Sequence, residues 1–320
     1  MTEPARAPAG APAGEVRVAV CVATYRRRTE LAALLESLGA LRIPAGVGVW
    51  LCVVDNDREG SAGAVAEAAR ARLPFPLDYA VEPERNISLA RNRGVARALA
   101  LGARFVAFVD DDEVVHPGWL AALLDAQARF GADAVVGTVL PRMDAAAPAW
   151  AARSGLYAQR HRAAGTPLRT AATNTALVSR RLLESVPGPF DPGFGLSGSG
   201  DSLFFTRCVR EGARVVSAPD AVVEEWCPPA RLRPGWVLRR AFRVGNGAVW
   251  VERALGPKGR LGWRVAAATA RLLGSAAILP FATLLGRAMA MRALWGVCYG
   301  AGCMAGLAGY RYPEYQVLDR

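Results

Sequence analysis

The feature that most constrains the fold is a rhythm of apolar, β-branched runs, each followed by a segment of helical periodicity. Val16 to Ala23 (VRVAVCVA), Val47 to Val54 (VGVWLCVV), Leu77 to Val81 and Phe105 to Val109 (FVAFV) are the first four runs. Near-continuous apolar runs of this length are what strands become when both faces of their sheet are covered. Between them, Leu31, Leu34, Leu35 and Leu38 repeat at helical spacing, and Ala62 to Ala71 and Ser88 to Leu101 also read as helices. Strand and helix in alternation predict an α/β fold, Rossmann-like, with a mostly parallel central sheet flanked by helices. Further strands are expected near 134–140, 172–178 and 214–217, with helices over 117–130, 179–186 and 202–212.

Polar residues cluster where each strand ends. In open α/β sheets ligands bind outside the carboxyl ends of the strands, so Thr24, Tyr25, Asp55 and the triplet Asp110-Asp111-Asp112 should share one surface. Three successive aspartates repel one another and raise each other's pKa unless positive charge sits among them. A divalent cation resolves the conflict. Mg²⁺ or Mn²⁺ takes carboxylate oxygens and bridges them to substrate phosphates. The competing reading is a solvated acidic loop, with Asp112 or Glu113 capping the helix that follows. No G-x-G-x-x-G follows the first strand and no P-loop lysine is present, which argues against a dinucleotide-dependent enzyme or a P-loop NTPase.

Charge and cysteine usage narrow the setting. The net charge is +11, and the interval from Arg231 to Arg292 holds twelve Arg or Lys against the single acid Glu252. That basic interval lies among the apolar stretches Leu272 to Leu285 and Ala288 to Tyr310, a pairing that suits an anionic membrane surface. With no recognition-helix, RNP or zinc-finger pattern, a nucleic-acid partner is not expected. Residues 1–14 are rich in Pro, Ala and Gly without an apolar core, as a flexible tail is and a signal peptide is not. The six cysteines show no C-x-x-C spacing, and His116 and His161 have no His or Cys at ligand spacing, so no zinc site is expected. These traits together point to a cytoplasmic protein, peripheral at the inner face of the cell membrane.

The order of motifs resembles glycosyltransferase family 2. CVATYRRRTEL is similar to the family's first strand and Thr/Ser-Tyr turn, VVDNDREG to its V-D-D-G-S-T-D, and RNISLARNRGVARA to its N-x-G-x-x-x-A-R-N-x-G. FVDDDEVVHPGWL matches its metal motif, and GSGDSLFFTRCVREGARVVSAPDAVVEEW its acceptor-side motif with the trailing helix and strand. The resemblance covers about Val16 to Trp226 and implies the GT-A fold. It implies Thr24, Tyr25, Asp55, Arg91, Asp110 and Asp111 as nucleotide contacts, Asp110 and Asp112 at an Mg²⁺ or Mn²⁺ ion, and Asp201 as general base. Asn174 matches a position lining the sugar pocket, although a turn residue would look the same. Arg240 and Arg243, in WVLRRAFRVGNG, are substrate contacts on the same footing; the alternative is a solvated helix face.

The sequence departs from the family at three places. Arg58-Glu59 replace the usual Ser-Thr, Gly200 stands where Glu is common, and the His that follows the last strand in many members is missing; Glu224 or Glu225 could take its place. The expected organisation is a tail over 1–14, a GT-A catalytic domain over 15–228, and a basic, apolar helical region over 229–320. The implied reaction is inverting transfer of a sugar from a nucleotide diphosphate, a UDP-sugar, to a glycan, lipid-linked or small-molecule acceptor. A nucleotidyltransferase of similar core, or a degenerate transferase serving as a membrane-associated binding module, are the alternatives.

Overall fold

A computed structural model describes residues 15–157 and 162–314; the 1–14 tail and His161 lie outside them. The chain forms two compact units. The first takes in residues up to 140, 160–195 and 200–225, and the second 141–159, 196–199 and 226 onward.

The first unit opens β1 (Val16–Thr24), α1 (Arg28–Gly39), β2 (Val47–Asp55), α2 (Gly63–Arg70), β3 (Leu77–Val81), α3 (Ile87–Ala100) and β4 (Phe105–Phe108). It continues through β5 (Glu113–Val115), α4 (Trp119–Phe130), β6 (Ala134–Arg142), and, after α5 (Ala149–Ser154) of the second unit, β7 (Ala176–Ser179), α6 (Arg180–Glu184), α7 (Gly200–Arg210) and β8 (Val215–Trp226). These strands make one eight-stranded sheet in the order β3-β2-β1-β4-β7-β6-β8-β5. β3, β2, β1 and β4 are parallel. β7 runs antiparallel to both β4 and β6, and β5 antiparallel to β8, which gives the sheet a second half of different character.

Alternate residues of β1 serve opposite faces, as the two-residue period of a strand requires. Val18, Val20 and Val22 join Leu31, Leu34 and Leu38 of α1, Ala66 and Ala69 of α2, and Trp119, Leu120 and Leu123 of α4 in one apolar layer. Ala19 and Cys21 face Ala98 of α3, Leu182 of α6 and Phe204 of α7 in the other. Covered on both sides, the sheet reserves its strand ends for polar residues.

Two local expectations are corrected. Glu113 belongs to strand β5, and α4 is capped at Gly118 with no side-chain bond, so neither Asp112 nor Glu113 caps that helix. β8 continues to Trp226, well past Ser217, because the segment after Pro219 pairs with β5 through Val223, Glu224 and Glu225.

In the second unit α8 (Pro234–Ala254), α9 (Leu261–Leu284) and α10 (Arg287–Leu307) pack together with α5. Glycines bring the backbones close. A Cβ on Gly302 of α10 would collide with the Phe242 carbonyl of α8, and one on Gly300 would lie 2.6 Å from the Leu272 Cβ of α9.

Candidate active site

Parallel register sets the site out. Thr24 and Asp55 are aligned partners at the ends of β1 and β2, and Asp110 to Asp112 follow the end of β4, the neighbour of β1 on its other side. The expected nucleotide and metal residues therefore meet at one edge of the first unit. Their bonds differ from what residue type alone suggests.

Asp55 is fully buried. Its Oδ1 accepts the Asp57 N–H at 3.0 Å, and its Oδ2 accepts the Ala62 N–H at 2.7 Å and the Tyr79 hydroxyl at 2.9 Å. It pins the loop from 55 to 62 to the sheet. Asp57 is also buried; it accepts from Arg26 Nε at 3.0 Å and Nη2 at 3.3 Å, and that bond holds its carboxyl below the usual range. Two guanidinium groups lie over the Tyr25 ring, Arg26 at 5.2 Å and Arg85 at 4.7 Å from its centroid, a geometry of favourable cation–π contact.

The triplet divides into unequal members. Asp111 is buried, with Oδ2 accepting the Thr24 hydroxyl at 2.8 Å and Oδ1 accepting Arg27 Nη1 at 2.9 Å. Thr24, expected at the base, is thus also a tether for the triplet. The same Arg27 nitrogen lies 3.0 Å from Asp112 Oδ2, and Arg91 Nη2 lies 3.2 Å from Asp110 Oδ1. Burial pushes the Asp111 carboxyl up to about 6, Arg27 opposing and Asp112 reinforcing the shift. Asp110 is raised by loss of water and by repulsion from Asp112 and Asp201, against the pull of Arg91. Glu113, whose carboxylate accepts the Asp110 N–H at 3.0 Å, is raised by burial and then by Asp110. Arg27 is held more firmly charged: its own burial works against it, and Asp111 and Asp112 outweigh that.

The repulsion felt at Asp110 brings Asp201 into the same field. Asp201 stands in the first turn of α7, its Oδ1 accepting the Ser202 N–H at 2.7 Å. Asn174 lies in the turn before β7, half-buried. Among the described residues two non-glycines have positive φ, Arg26 at 54° and Ser199 at 70°. The first adjoins Tyr25, and the second comes two residues before Asp201. Such conformations cost energy and concentrate at functional sites.

Arg240 and Arg243 belong to α8 in the second unit. Arg240 lies over the Trp236 ring at 5.2 Å, and Arg243 Nε is 3.2 Å from a Glu314 carboxylate oxygen. Glu224 Oε1 is 3.1 Å from His116 Nε2, and Glu225 sits opposite Glu113 in the β5–β8 pairing.

A divalent cation fits the donor set. Asp110 and Asp112 present hard oxygen donors beside each other, the number of carboxylates Mg²⁺ or Mn²⁺ takes when phosphate oxygens complete the shell. Among the described residues no three His, Cys, Asp or Glu side chains form a closed cage, and a shell completed by substrate needs none.

Several site residues carried no sequence-level assignment. Arg27 holds two of the three aspartates from within the run Arg26-Arg27-Arg28 that follows Tyr25. Asn56 donates to the carbonyls of Glu82 and Glu84 and accepts the Asn86 N–H, and Asn86 caps α3 by accepting the Ser88 and Leu89 N–H groups. Asn92 takes both backbone groups of Phe190, at 2.7 and 3.0 Å. Together they aim Arg91, on α3, at Asp110. Thr173 has a buried hydroxyl without a hydrogen-bond partner among the described residues and lines a small cavity with Arg91 and Asp110.

Comparison with known proteins agrees with this arrangement. The family described as Glycosyl transferase family 2 matches residues 19–186. The succinoglycan biosynthesis protein ExoM of Rhizobium meliloti (strain 1021) is 34% identical over 304 residues, covering 93% of this chain and 95% of ExoM. The mannosyltransferase PcManGT of Pyrobaculum calidifontis, solved in complex with GDP-Man and Mn²⁺, superposes with a TM-score of 0.62 at 19% identity, over 93% of this chain and 88% of that one. Its GT-A fold is the fold found here, an α/β sheet flanked by helices and followed by a helical region. The family match spans more than half of the chain and the ExoM alignment nearly all of it: the protein is a glycosyltransferase and belongs to glycosyltransferase family 2.

Proposed function

We propose that the protein builds a polysaccharide by inverting transfer of a sugar from a UDP-sugar to an acceptor hydroxyl, with Asp201 as general base. What supports this reading is the position of Asp201 in the first turn of α7, near enough to Asp110 for its charge to help raise that carboxyl. In this reading Tyr25, Asp55 and Thr24 border the nucleotide, Arg91 pairs with its phosphates as a fork, and Asp111 keeps Thr24 and Arg27 in place. Asp110 and Asp112 would hold Mg²⁺ or Mn²⁺, whose charge would offset that developing on the departing diphosphate.

The acceptor hydroxyl gives its proton to the Asp201 carboxylate as its oxygen attacks the anomeric carbon. The bond to the diphosphate breaks with its electron pair staying on the leaving oxygen, and one displacement inverts the configuration. The Ser202 N–H fixes the orientation of the Asp201 carboxylate for this step. Asn174 borders the sugar, and Arg240 and Arg243 meet an anionic group of the donor or acceptor. The kinship with a succinoglycan biosynthesis protein supports a glycan or lipid-linked acceptor, with the basic C-terminal region making peripheral contact at the inner face of the membrane.

The test is transfer from a panel of nucleotide sugars with and without Mn²⁺, with the product's anomeric configuration read by NMR. Asp201→Asn should lower kcat by roughly 10²–10⁴-fold while leaving the thermal shift given by UDP with Mn²⁺ intact. Wild-type turnover by this variant would refute the role of Asp201; retention of configuration would refute the single displacement.

A further inference from the structure

Helix α9 leaves one side uncovered. Trp263, Ala266, Ala270, Leu273, Ala277, Phe281 and Leu284 follow one another at steps of three or four, which places them on one face of the helix. All seven are exposed, Trp263 to 73%, Leu273 to 63%, Phe281 to 68% and Leu284 to 85%. The stripe is about 32 Å long and ends beside Leu285, which is 72% exposed. The most apolar 18 residues of α9 have a mean hydropathy of 1.5, yet only 11% of them are buried. A helix serving as the core of a soluble unit would show the reverse.

The opposite face is already used. Leu272 and Ser275 meet Gly300 and Gly296 of α10, where a Cβ would crowd them. The two arginines of α9 stay off the stripe: Arg264 pairs with the buried Glu252 at 3.0 Å, and Arg271 lies over the Tyr299 ring at 4.8 Å. Arg260 and Arg287 bracket the helix at its two ends, and no acidic residue occurs from 253 to 313, an interval holding eight Arg or Lys.

An uncharged apolar stripe framed by cations complements an anionic lipid surface, with acyl chains under the stripe and phosphates at the arginines. Spanning is a different arrangement, and the second unit opposes it. α10 packs against α8 at Gly245, Phe242 and Gly302, and α8 carries Arg239, Arg240, Arg243 and Arg253. Drawing α9 through a bilayer would pull those charges into hydrocarbon. We propose that α9 lies in the plane of an anionic phospholipid membrane, with Trp263, Leu273, Phe281 and Leu284 inserted among the acyl chains and Arg260 and Arg287 at the headgroups. This rests on the peripheral membrane contact proposed above and gives that contact its residues.

The full chain is sedimented with vesicles of phosphatidylcholine, alone and with phosphatidylglycerol added. Wild type should partition onto the anionic vesicles, and a Leu273→Gln/Phe281→Gln/Leu284→Gln variant should lose at least about ten-fold of that partitioning. Arg260→Gln/Arg287→Gln should weaken binding to anionic vesicles and flatten its dependence on salt. Phe281→Ser alone, at an exposed position, serves as the milder variant if the triple one does not fold. Undiminished binding by the stripe variants would overturn the in-plane helix while leaving membrane contact standing. Absence of wild-type binding to either vesicle would overturn both. A wild-type dimer in lipid-free solution that the stripe variants dissociate would assign the face to a second copy of the chain and overturn the proposal.

Discussion

Asn92→Ala tests whether the motif that carries Arg91 works through backbone anchoring. The Asn92 amide accepts the Phe190 N–H at 3.0 Å and donates to the Phe190 carbonyl at 2.7 Å, bridging 98 residues of sequence. Phe190 is fully buried, packed edge-on against Phe108 at 5.7 Å and tilted on Phe204 at 5.4 Å, with the Arg91 guanidinium over its ring. Alanine removes both partners of a buried residue. Each unsatisfied backbone group costs about 1–3 kcal/mol. Asn92 itself is half-buried, so water can reach part of the gap and the expected loss is roughly 2–3 kcal/mol. For a unit of this size that lowers Tm by about 4–12 °C, read by calorimetry. Hydrogen exchange should quicken over 187–195 more than in β1 or β2. Because Phe190 also seats Arg91, kcat/KM measured well below Tm should fall as well. A Tm within about 1 °C of wild type, with unchanged exchange over 187–195, would show that the two bonds do not anchor the motif.

Asp111 gives a pH signature. Its folded pKa of about 6 lies above the ordinary 3.8, so the folded state binds this proton more readily than the unfolded chain does. The contribution therefore destabilises at neutral pH and is relieved as pH falls from about 6 toward 4. In metal-free buffer Asp111→Asn should be more stable than wild type by roughly 1–3 kcal/mol at pH 7, with the gap closing by pH 4; parallel pH profiles in urea titrations would refute this. Gly300→Val should cost about 1–3 kcal/mol by overpacking, since its Cβ would lie 2.6 Å from the Leu272 Cβ and 3.2 Å from the Ala268 carbonyl. Loss of exchange protection in α9 checks it, and unchanged protection would contradict the close packing of α9 on α10.

The first half of the fold is written locally and was legible. β3 lies at Leu77–Val81 as expected, and β1, β2 and β4 differ from expectation only at their ends. The later strands are less plain. Pro219 and Asp220 break the apolar run of β8, yet pairing with β5 carries that strand to Trp226. In α9 the apolar run reads from Leu272 because Arg264 and Arg271 interrupt it, whereas the helix begins at Leu261. Both arginines are absorbed by Glu252 and Tyr299, partners that no periodicity shows. The site shows the same divide. Residue types at strand ends announced Thr24, Asp55 and the triplet, but Thr24 reaches Asp111 across 87 residues and Arg27 reaches it across 84. Bonds of that span follow from the order β2-β1-β4, which only the folded sheet supplies.

That geometry also changes how the acidic cleft is understood. Taken alone, three aspartates demand a cation, and the folded chain answers part of the demand itself, with Arg91 at Asp110 and Arg27 at Asp111 and Asp112. It does not answer all of it. Asp110, Asp111 and Glu113 keep carboxyl pKa values above the ordinary range despite those arginines, and Asp201 adds to the field at Asp110. Among the described ion pairs two guanidinium groups serve the three aspartates, and burial is the largest cause of the remaining upward shifts. A divalent cation held there, as proposed above, would supply further positive charge. The arginines thus offset part of the repulsion within the triplet from inside the chain itself, with Arg27 shared between Asp111 and Asp112.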